Sequence, residues 1–473
     1  MATPMSYPPA DGFADQVSRT DLLLGRRGAV SSLTNARDWF DDRPVWIHAD
    51  PRTASTGPGQ SALITLTTLL HRAGFPVYIN GALDDLVVDR GPFRGQDLTI
   101  TLAALGAVKA PSAYTEAPGQ RHVMLGDVTR APSPAVQLTW DGWIAGVRPD
   151  GNRLDERDGC PLAPILAAAL TVSEIFESHL GVRDACWRDV TISLWNPTDT
   201  SPAQGPALRW LPQRWMLLGL GHLGQANAWC LAHLPNPPGS CEVWLADDER
   251  ITASNVSTGV LTNPEHLTAA ADGAPRKTRL VAAALERAGL DTRLIERRIQ
   301  PDEHHHSDLP SITLVGVDNL ATRRALSSFG WPLCIDAGLG STPSSFDTFS
   351  LHVFDGSGRA SSEIDAWQER PQAEPDTTAE IFDDLRSGGL DECGVVTLAN
   401  KNVACAYVGM SAACLSVAEV LRRLNGTEGA TAISAALDAL AVRGDAISPP
   451  PIRVPVCEVV GTERRTTTPA EPA

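Results

Sequence analysis

The chain lacks the features that would tie it to a membrane, a metal scaffold or nucleic acid. None of its 473 residues belongs to an apolar run near the roughly 20 residues that a membrane-spanning helix needs. Its nine cysteines form no C-x-x-C pair, which argues against a disulfide scaffold or a four-cysteine zinc site. The net charge of -17 opposes binding to a phosphate backbone. Because residues 1–12 also lack the pattern of a secretory signal, we expect a cytoplasmic protein that binds neither membranes nor nucleic acids.

A chain of this length suits two domains, each with its own apolar core. Runs rich in Pro and Gly interrupt the patterned sequence, and a polar, acidic stretch interrupts its second half. We expect a first domain at 13–200, a linker at 201–212, a second domain at 213–447 with a mobile insertion at 356–392, and a flexible tail at 448–473.

Apolar segments and helical segments alternate along the second half. Predicted strands lie at 215–218, 242–246, 311–317 and 333–336, and predicted helices lie at 225–233, 276–288 and 321–329. The first half has a looser version, with strands at 45–49 and 76–80 around a helix at 61–71. This alternation predicts an α/β fold with a Rossmann-like, doubly wound and mostly parallel sheet.

One segment of the first half is similar to one segment of the second. Residues 167–176 align without gaps with residues 412–421, and a glycine follows each segment at the same distance. Two Ala-rich amphipathic helices could agree by chance. A duplicated fold is the better explanation, and the first copy lacks the glycine turn described next, so we expect an inactive N-terminal copy and an active C-terminal copy.

Three glycines, Gly219, Gly221 and Gly224, stand between a predicted strand and a predicted helix. In a G-x-G-x-x-G turn at this position, backbone amides can approach phosphates at the helix N-terminus. Asp247 and Glu249 follow the next predicted strand, where a carboxylate can accept hydrogen bonds from ribose hydroxyls. Up to this point a nicotinamide-dependent oxidoreductase fits the sequence equally well.

The residues that follow favour a different chemistry. Asn255 comes first, Lys277 opens a predicted helix, and Asp318 and Asn319 follow a buried strand, with Arg323 one turn later. A hydride-transferring enzyme does not need a lysine and a further carboxylate directed at phosphates. An adenylating enzyme needs both, because Mg²⁺ requires hard oxygen ligands and the triphosphate requires fixed cations.

The ordered set resembles the superfamily of ThiF, MoeB and the ubiquitin-activating enzymes, over roughly residues 214–426. The matching residues are Gly219, Gly221, Gly224, Asp247, Glu249, Ser254, Asn255, Lys277, Asp318, Asn319 and Arg323. The resemblance implies an ATP site in which Asp247 holds the ribose and Asn255 and Lys277 contact phosphates. It also implies that Asp318 binds Mg²⁺.

The chain departs from the family pattern in two places. Thr258 stands where the family has an arginine, which removes one phosphate contact that Arg276 could replace. The metal-binding cysteine pairs of many relatives are absent, so we expect no structural zinc. Cys393 falls in a segment similar to the one that carries a reactive cysteine in many members. Its acidic neighbours Asp391 and Glu392 would raise a thiol pKa, which leaves its role as a thioester-forming nucleophile open.

The sequence therefore predicts ATP-dependent adenylation of the C-terminal carboxylate of a ubiquitin-like or sulfur-carrier protein. A thioester with Cys393, or transfer to a conjugating or sulfur-donor partner, would follow. The resemblance implies a monomeric pseudo-dimer or a homodimer. A non-catalytic scaffold that only binds a partner or peptide stays open, as does a nicotinamide-dependent oxidoreductase.

Overall fold

The structure is a computed structural model of the chain. It describes residues 13–111, 119–128, 134–149, 151–268, 273–300, 303–317, 320–340, 342–354, 375–427, 429–439, 441–447 and 454–459. In this part of the chain, no helix has both the length and the apolar character needed to cross a membrane.

The first half folds around a seven-stranded sheet with the order β3-β2-β1-β4-β5-β6-β7. The first five strands in this order are parallel, and β6 and β7 are antiparallel to their neighbours. The strands are β1 (Val45–Ala49), β2 (Val77–Asn80), β3 (Ala107–Lys109), β4 (Arg121–Leu125), β5 (Ala135–Asp141), β6 (Ile144–Pro149) and β7 (Val190–Ser193). The helices are α1 (Arg19–Arg26), α2 (Leu33–Asp41), α3 (Pro51–Ala54), α4 (Gly57–Ala73), α5 (Leu98–Ala104) and α6 (Ala163–His179).

The second half folds around an eight-stranded sheet with the order β11-β10-β9-β12-β13-β14-β15-β16. Its first five strands in this order are parallel and the last three are antiparallel to their neighbours. The strands are β9 (Arg214–Leu218), β10 (Glu242–Ala246), β11 (Asp291–Ile295), β12 (Ile312–Val315), β13 (Leu333–Leu339), β14 (Thr348–Phe354), β15 (Ala430–Ala436) and β16 (Ala441–Ile447). The helices are α7 (His222–Ala232), α8 (Ser254–Thr258), α9 (Glu265–Thr268), α10 (Lys277–Arg287), α11 (Leu320–Phe329), α12 (Glu380–Ser387), α13 (Glu392–Ala399) and α14 (Ala406–Leu424).

The parallel-rich sheets confirm the predicted α/β class and are consistent with a Rossmann-like fold. If the strands of each sheet are counted along the chain, the first seven have the same order, 3-2-1-4-5-6-7, in both sheets. Along the chain, α6 and α14 each lie between the sixth and the seventh strand of their sheet. The similar segments 167–176 and 412–421 lie on these two helices. In each segment a buried glutamate, Glu174 or Glu419, is bonded to an arginine.

The two halves share one apolar core. Helices α4 and α6 of the first half pack together, as do α7 and α14 of the second, and α6 packs on α14. The rings of Phe176 and Tyr407 lie 5.8 Å apart across this boundary. The indole Nε1 of Trp229 donates to the Thr65 hydroxyl at 3.0 Å. The first half is therefore part of the structure that supports the second.

Two segments expected to be loose contain regular structure. Within the predicted insertion at 356–392, α12 buries Ile381, Phe382 and Leu385. It packs so closely on α1 that a Cβ atom on Gly25 would lie 2.2 Å from the Ile381 side chain. Because acidic residues surround these three apolar positions, the composition of the segment does not indicate that it forms an amphipathic helix. Residues 355–374 of the insertion lie outside the described residues.

The predicted tail and linker also pair with each other. Strand β17 (Val456–Glu458) lies within the predicted tail at 448–473 and is antiparallel to β8 (Trp210–Pro212) at the end of the predicted linker. The local sequence of neither segment predicts this pairing across about 245 residues, because a strand of three residues has almost no periodicity.

Candidate functional site

A pocket of about 500 Å³ opens at the carboxyl ends of β9, β10 and β13 and at the turn after β12. Strand β9 is flanked by β10 on one side and β12 on the other, so the chain reverses its direction of winding here. Ligands of open parallel sheets bind in the crevice outside such a switch point. The pocket is therefore the place where this fold would hold a ligand.

The glycine turn forms the bottom of the pocket. Gly219 follows β9 with φ at +82°, a left-handed conformation that favours glycine. A Cβ atom on Gly224 would lie 2.0 Å from the Gly219 carbonyl oxygen, so only glycine allows α7 to approach the turn this closely. The glycines predicted from the sequence thus have different steric roles, and Gly219 and Gly221 line the pocket.

Helix α7 begins in this turn without a capping side chain. Gly221 occupies the N-cap position, and because glycine has no side chain, it cannot cap the helix with a side-chain hydrogen bond. The first amides of a helix have no partner within the helix, and together with the helix dipole they attract anions. A Cβ atom added at Gly221 would meet only the tip of Lys277, at 3.9 Å. The helix N-terminus therefore has room for a bound anion, with a cation close by.

Asp247 is fixed at the end of β10 by two backbone amides. Its carboxylate accepts hydrogen bonds from Leu220 N at 2.6 Å and from Glu249 N at 2.8 Å. Burial raises the pKa of Asp247, and the charge of Lys277 and the two amides oppose that effect. The carboxylate lines the pocket beside the glycine turn, which places it where a ribose hydroxyl could donate to it.

Lys277 lies at the start of α10 and is almost buried, with 9% of its side chain exposed. Its ammonium group forms an ion pair with Glu249, and its backbone N–H donates to the Glu249 carbonyl oxygen at 3.0 Å. The two predicted residues, distant in sequence, thus meet at the pocket wall. A buried ammonium that is paired with an exposed carboxylate can also bind a phosphate oxygen.

Asn255 and Thr258 lie on the short helix α8, and both line the pocket. Arg276, expected as a substitute for the arginine missing at Thr258, faces elsewhere. Its guanidinium donates to the Asp248 carbonyl oxygen at 3.0 Å and lies 3.7 Å from Glu296, and it is not among the described residues that line the pocket. The expectation for Arg276 is therefore not supported by its position.

Arg19, on α1 of the first half, lines the pocket instead. Its backbone N–H donates to the Ser257 hydroxyl at 3.2 Å, next to Thr258, and the residue is 9% exposed. Burial lowers the pKa of Arg19, and the charge of Asp15 opposes that effect. Sequence reasoning missed Arg19 because it lies more than 190 residues before the glycine turn and belongs to no local motif.

Arg323 lines the pocket, but its guanidinium is held by a buried carboxylate. Its Nε atom lies 3.0 and 2.9 Å from the two oxygens of Asp336, whose side chain is fully buried. Burial raises the pKa of Asp336 to about 6, and Arg323 opposes that effect. Arg323 is therefore oriented by Asp336, a residue that the sequence analysis did not single out.

Asp318 and Asn319 lie outside the described residues, so their predicted roles stay predictions. Their neighbour Val317 lines the pocket. Among the described residues, no group of three or more His, Cys, Asp or Glu side chains is arranged to hold a metal ion. The fit of Mg²⁺ therefore depends on Asp318 and on the phosphates of a ligand.

Cys393 is exposed and lies in the first turn of α13, whose N-terminus is capped by Asp391 through the Gly394 amide at 2.8 Å. It is not among the described lining residues of the pocket. The loop that follows α13 is, because residues 401–404 form part of the pocket wall. Cys393 lies eight residues before Lys401, a spacing of about 12 Å at helical rise, so it is close to this wall along the chain but does not line the pocket.

The other cysteines differ from Cys393 in burial. Cys334, Cys405 and Cys414 are buried, and Cys405 is the N-cap of α14. Burial raises the pKa of the Cys405 thiol. Among the described residues, Cys393 is thus the exposed thiol closest in sequence to the pocket wall.

The pocket combines a strongly basic lining with a few acids. Its charged lining residues are Arg19, Lys277, Arg297, Arg298, Arg323, Lys401, Asp247, Asp248 and Glu249. With the uncapped helix N-terminus, this set suits a ligand that carries several phosphates and a ribose. The glycine turn, with open space beside Gly221 and the ammonium group of Lys277, supports the fit of a nucleotide.

Comparisons with known proteins agree on a family. Residues 44–194 match the family described as BilD N-terminal domain, and residues 211–427 match the family described as BilD C-terminal domain. A protein from Collimonas sp. (strain OK412) called "Bacterial E1-like protein BilD" is 35% identical over 412 residues, which cover 84% of this chain and 86% of the relative. The chain therefore belongs to the BilD family of bacterial E1-like proteins.

Proposed function

We propose that the protein uses ATP to adenylate the C-terminal carboxylate of a small ubiquitin-like or sulfur-carrier protein. The observation that carries the proposal is the uncapped N-terminus of α7 behind the glycine turn, with buried Lys277 beside it. This arrangement is suited to phosphates, and membership of an E1-like family favours carboxylate activation over hydride transfer.

Each side chain has a role that follows from its position. The oriented carboxylate of Asp247 would accept hydrogen bonds from the ribose hydroxyls. The amides at the start of α7, Lys277 and Asn255 would bind the phosphates. Arg19 would supply the positive charge that Thr258 lacks, and it comes from the other half of the chain.

The reaction joins two anions, so the cations must lower their repulsion. One oxygen of the partner's C-terminal carboxylate attacks the α-phosphorus of ATP and forms a new P–O bond. The bond from that phosphorus to the bridging oxygen breaks, and pyrophosphate leaves with the electron pair. Lys277 and Arg19 stabilise the negative charge that develops on the phosphates, and Mg²⁺, for which Asp318 is the expected ligand, would add to this stabilisation.

A second step would pass the acyl group to a thiol. The thiolate of Cys393, or of a conjugating or sulfur-donor partner, attacks the carbonyl carbon of the acyl-adenylate and expels AMP. Cys393 is exposed and joined through α13 to the pocket wall, which supports this role. Because it lies outside the pocket, the proposal requires that the adenylated C-terminus or α13 moves before transfer.

We infer that the two halves are copies of one ancestral domain and form a monomeric pseudo-dimer. The shared strand order and the matched positions of α6 and α14 support this inference. The helix that follows the first strand differs between the halves. Asp50 caps α3 by accepting from the amides of Arg52 and Thr53, whereas no side chain in the described part of the chain caps α7 in this way. This difference supports an inactive first copy that has lost nucleotide binding.

Pyrophosphate exchange into ATP, with a small ubiquitin-like protein as partner, tests the proposal. Wild type should exchange only when the partner has a free C-terminal carboxylate. Lys277→Ala and Asp318→Ala should each lower the rate about a hundredfold or more, and Cys393→Ala should keep it. Lys109→Ala, at an exposed position of the first sheet, is the matched control and should behave as wild type. Full exchange in both site variants would contradict the assignment.

A non-catalytic scaffold is the second candidate, and Thr258 is the observation that favours it. Such a protein would bind the partner tightly and exchange no pyrophosphate. A nicotinamide-dependent oxidoreductase would instead respond to an absorbance titration with NAD(H), for which we expect no binding.

A further inference from the structure

The pocket wall contains a lysine that no motif predicts. Lysine occurs only at positions 109, 277 and 401, and the other residues among the 39 Lys and Arg are arginines. Lys277 and Lys401 both line the pocket, whereas Lys109 lies on the edge strand β3 of the first sheet. Lys401 belongs to the loop between α13, which carries Cys393, and α14.

Lys401 is held by residues that precede α1 or lie on it. Its ammonium group lies 2.9 Å from the carboxylate of Asp15, and the same carboxylate lies 3.8 Å from Arg19. The Lys401 carbonyl oxygen accepts from Arg26 at 3.1 Å, and its N–H donates to Leu398 at the end of α13. The backbone of Lys401 is therefore bonded on both sides, which leaves its side chain as the part that can move.

Asp15 thus neutralises two cations of the pocket, one from each half of the chain. The pairing is half-open to water, with 48% of the Asp15 side chain and 34% of the Lys401 side chain exposed. Such an exposed ion pair contributes little to stability and exchanges partners readily. A polyphosphate is a stronger partner than one carboxylate, because it offers more charge and more acceptor oxygens.

We propose that, in the absence of nucleotide, the Asp15 carboxylate pairs with Lys401 and Arg19 in place of a phosphate group. When ATP binds, Lys401 turns from Asp15 to a phosphate of ATP. The inference rests on the proposed function. Lysine suits this exchange, since a compact ammonium on a flexible stem can change partners without the planar geometry that arginine requires. Through this contact, nucleotide binding in the pocket would affect the position of the loop that follows α13, the helix that carries Cys393.

Opposite effects of two substitutions distinguish this exchange from a structural ion pair. The measurement is the equilibrium dissociation constant for Mg-ATP, determined by calorimetry with the full chain. Lys401→Met should weaken binding about tenfold, as expected for the loss of a charge-assisted hydrogen bond. Asp15→Asn should strengthen binding about threefold, because it removes a competing anion and leaves both cations in place. When Lys401→Met is already present, Asp15→Asn should strengthen Mg-ATP binding by less than half as much as it does in the wild-type protein.

A second ion pair provides matched controls. Lys109 lies 3.9 Å from Asp84 on the exposed edge of the first sheet, and Lys109→Met and Asp84→Asn should leave the dissociation constant unchanged. Thermal unfolding of each variant checks that the fold is intact. Weaker binding in both Lys401→Met and Asp15→Asn would assign the pair a structural role and overturn the inference. Unchanged binding in Lys401→Met would overturn it too, whereas wild type that binds no ATP would overturn the proposed function itself.

Discussion

Single residues decide whether the pocket can form and what it can bind. Gly224 is a severe steric case, because an added Cβ atom would lie 2.0 Å from a backbone oxygen rather than from the end of a flexible side chain. We expect Gly224→Ala to lower the free energy of unfolding by about 1–3 kcal/mol, as other overpacking substitutions do. Chemical denaturation of purified protein measures the change.

Gly221→Ala provides the comparison for Gly224→Ala. A Cβ atom there would meet only the flexible end of Lys277, and the φ of Gly221 is -75°, outside the left-handed region that favours glycine. The loss of stability should therefore be smaller than for Gly224→Ala. Equal losses in the two variants would show that close packing at Gly224 is not the reason for its glycine.

The arginine that acts on phosphates can be identified by comparing two candidates. Arg19→Ala should weaken Mg-ATP binding about tenfold or more, because it removes a charged group from the pocket lining. Arg276→Ala should leave binding nearly unchanged, since this side chain is bonded to the Asp248 carbonyl oxygen and is not among the described residues that line the pocket. Arg19→Lys should restore part of the affinity, which a purely structural role would not predict. A larger effect from Arg276→Ala would reverse the assignment.

Among the elements, helix α7 contributes most to the proposed chemistry through its free N-terminus. Gly221→Asp would place a carboxylate at the N-cap, where Asp50 stands before α3 in the first half. The new side chain should stabilise the helix by about 1 kcal/mol and occupy the amides that phosphates need. We therefore expect unchanged or higher stability together with at least a tenfold loss of Mg-ATP affinity. Wild-type affinity in this variant would show that the helix N-terminus does not bind the nucleotide.

A comparison of predicted and observed elements shows which parts of the fold the sequence could predict. Strands β1 and β10 match their predicted bounds, and the glycine turn lies between β9 and α7 as predicted, because periodicity and turn chemistry are local signals. The contacts of α1 with α8 and α12 could not be predicted. They join residues more than 200 positions apart, and neither partner carries a local signal for the other. Arg19 and Lys401 were missed for this reason.

At the scale of the whole molecule, the boundary between the halves contains buried acids. Glu177 on α6 is 1% exposed, and one of its carboxylate oxygens has no hydrogen-bond partner among the described residues. The pKa of Glu177 is raised to about 7, chiefly by burial; the charges of Asp347, Asp438 and Glu174 contribute in the same direction, and the charge of Arg27 opposes them. The folded protein thus favours the neutral form more than the unfolded chain does.

This shift fixes the sign of a pH effect on stability. Since the folded pKa is raised, the stabilising contribution is complete below the unfolded pKa of about 4.5 and is lost as the pH rises through about 7. Glu177→Gln, which stays neutral, should therefore be more stable than wild type by about 1–2 kcal/mol at pH 8. The two proteins should converge near pH 5. Denaturant unfolding at both pH values measures the difference.

An exposed glutamate separates this effect from a general change in charge. Glu380→Gln, at an exposed position of α12, should shift stability equally at pH 5 and pH 8. If Glu177→Gln destabilised the protein by the same amount at both pH values, the buried carboxyl group would not be the source of the dependence.

The central claim, adenylation of a protein C-terminus, can be tested by the mass of the product. The Cys393→Ala variant should be incubated with Mg-ATP and a ubiquitin-like partner, and the intact partner should then be weighed by mass spectrometry. The account predicts a partner heavier by one adenylyl group, formed only when its C-terminal carboxylate is free. A partner of unchanged mass, or one heavier by a single phosphoryl group, would contradict it.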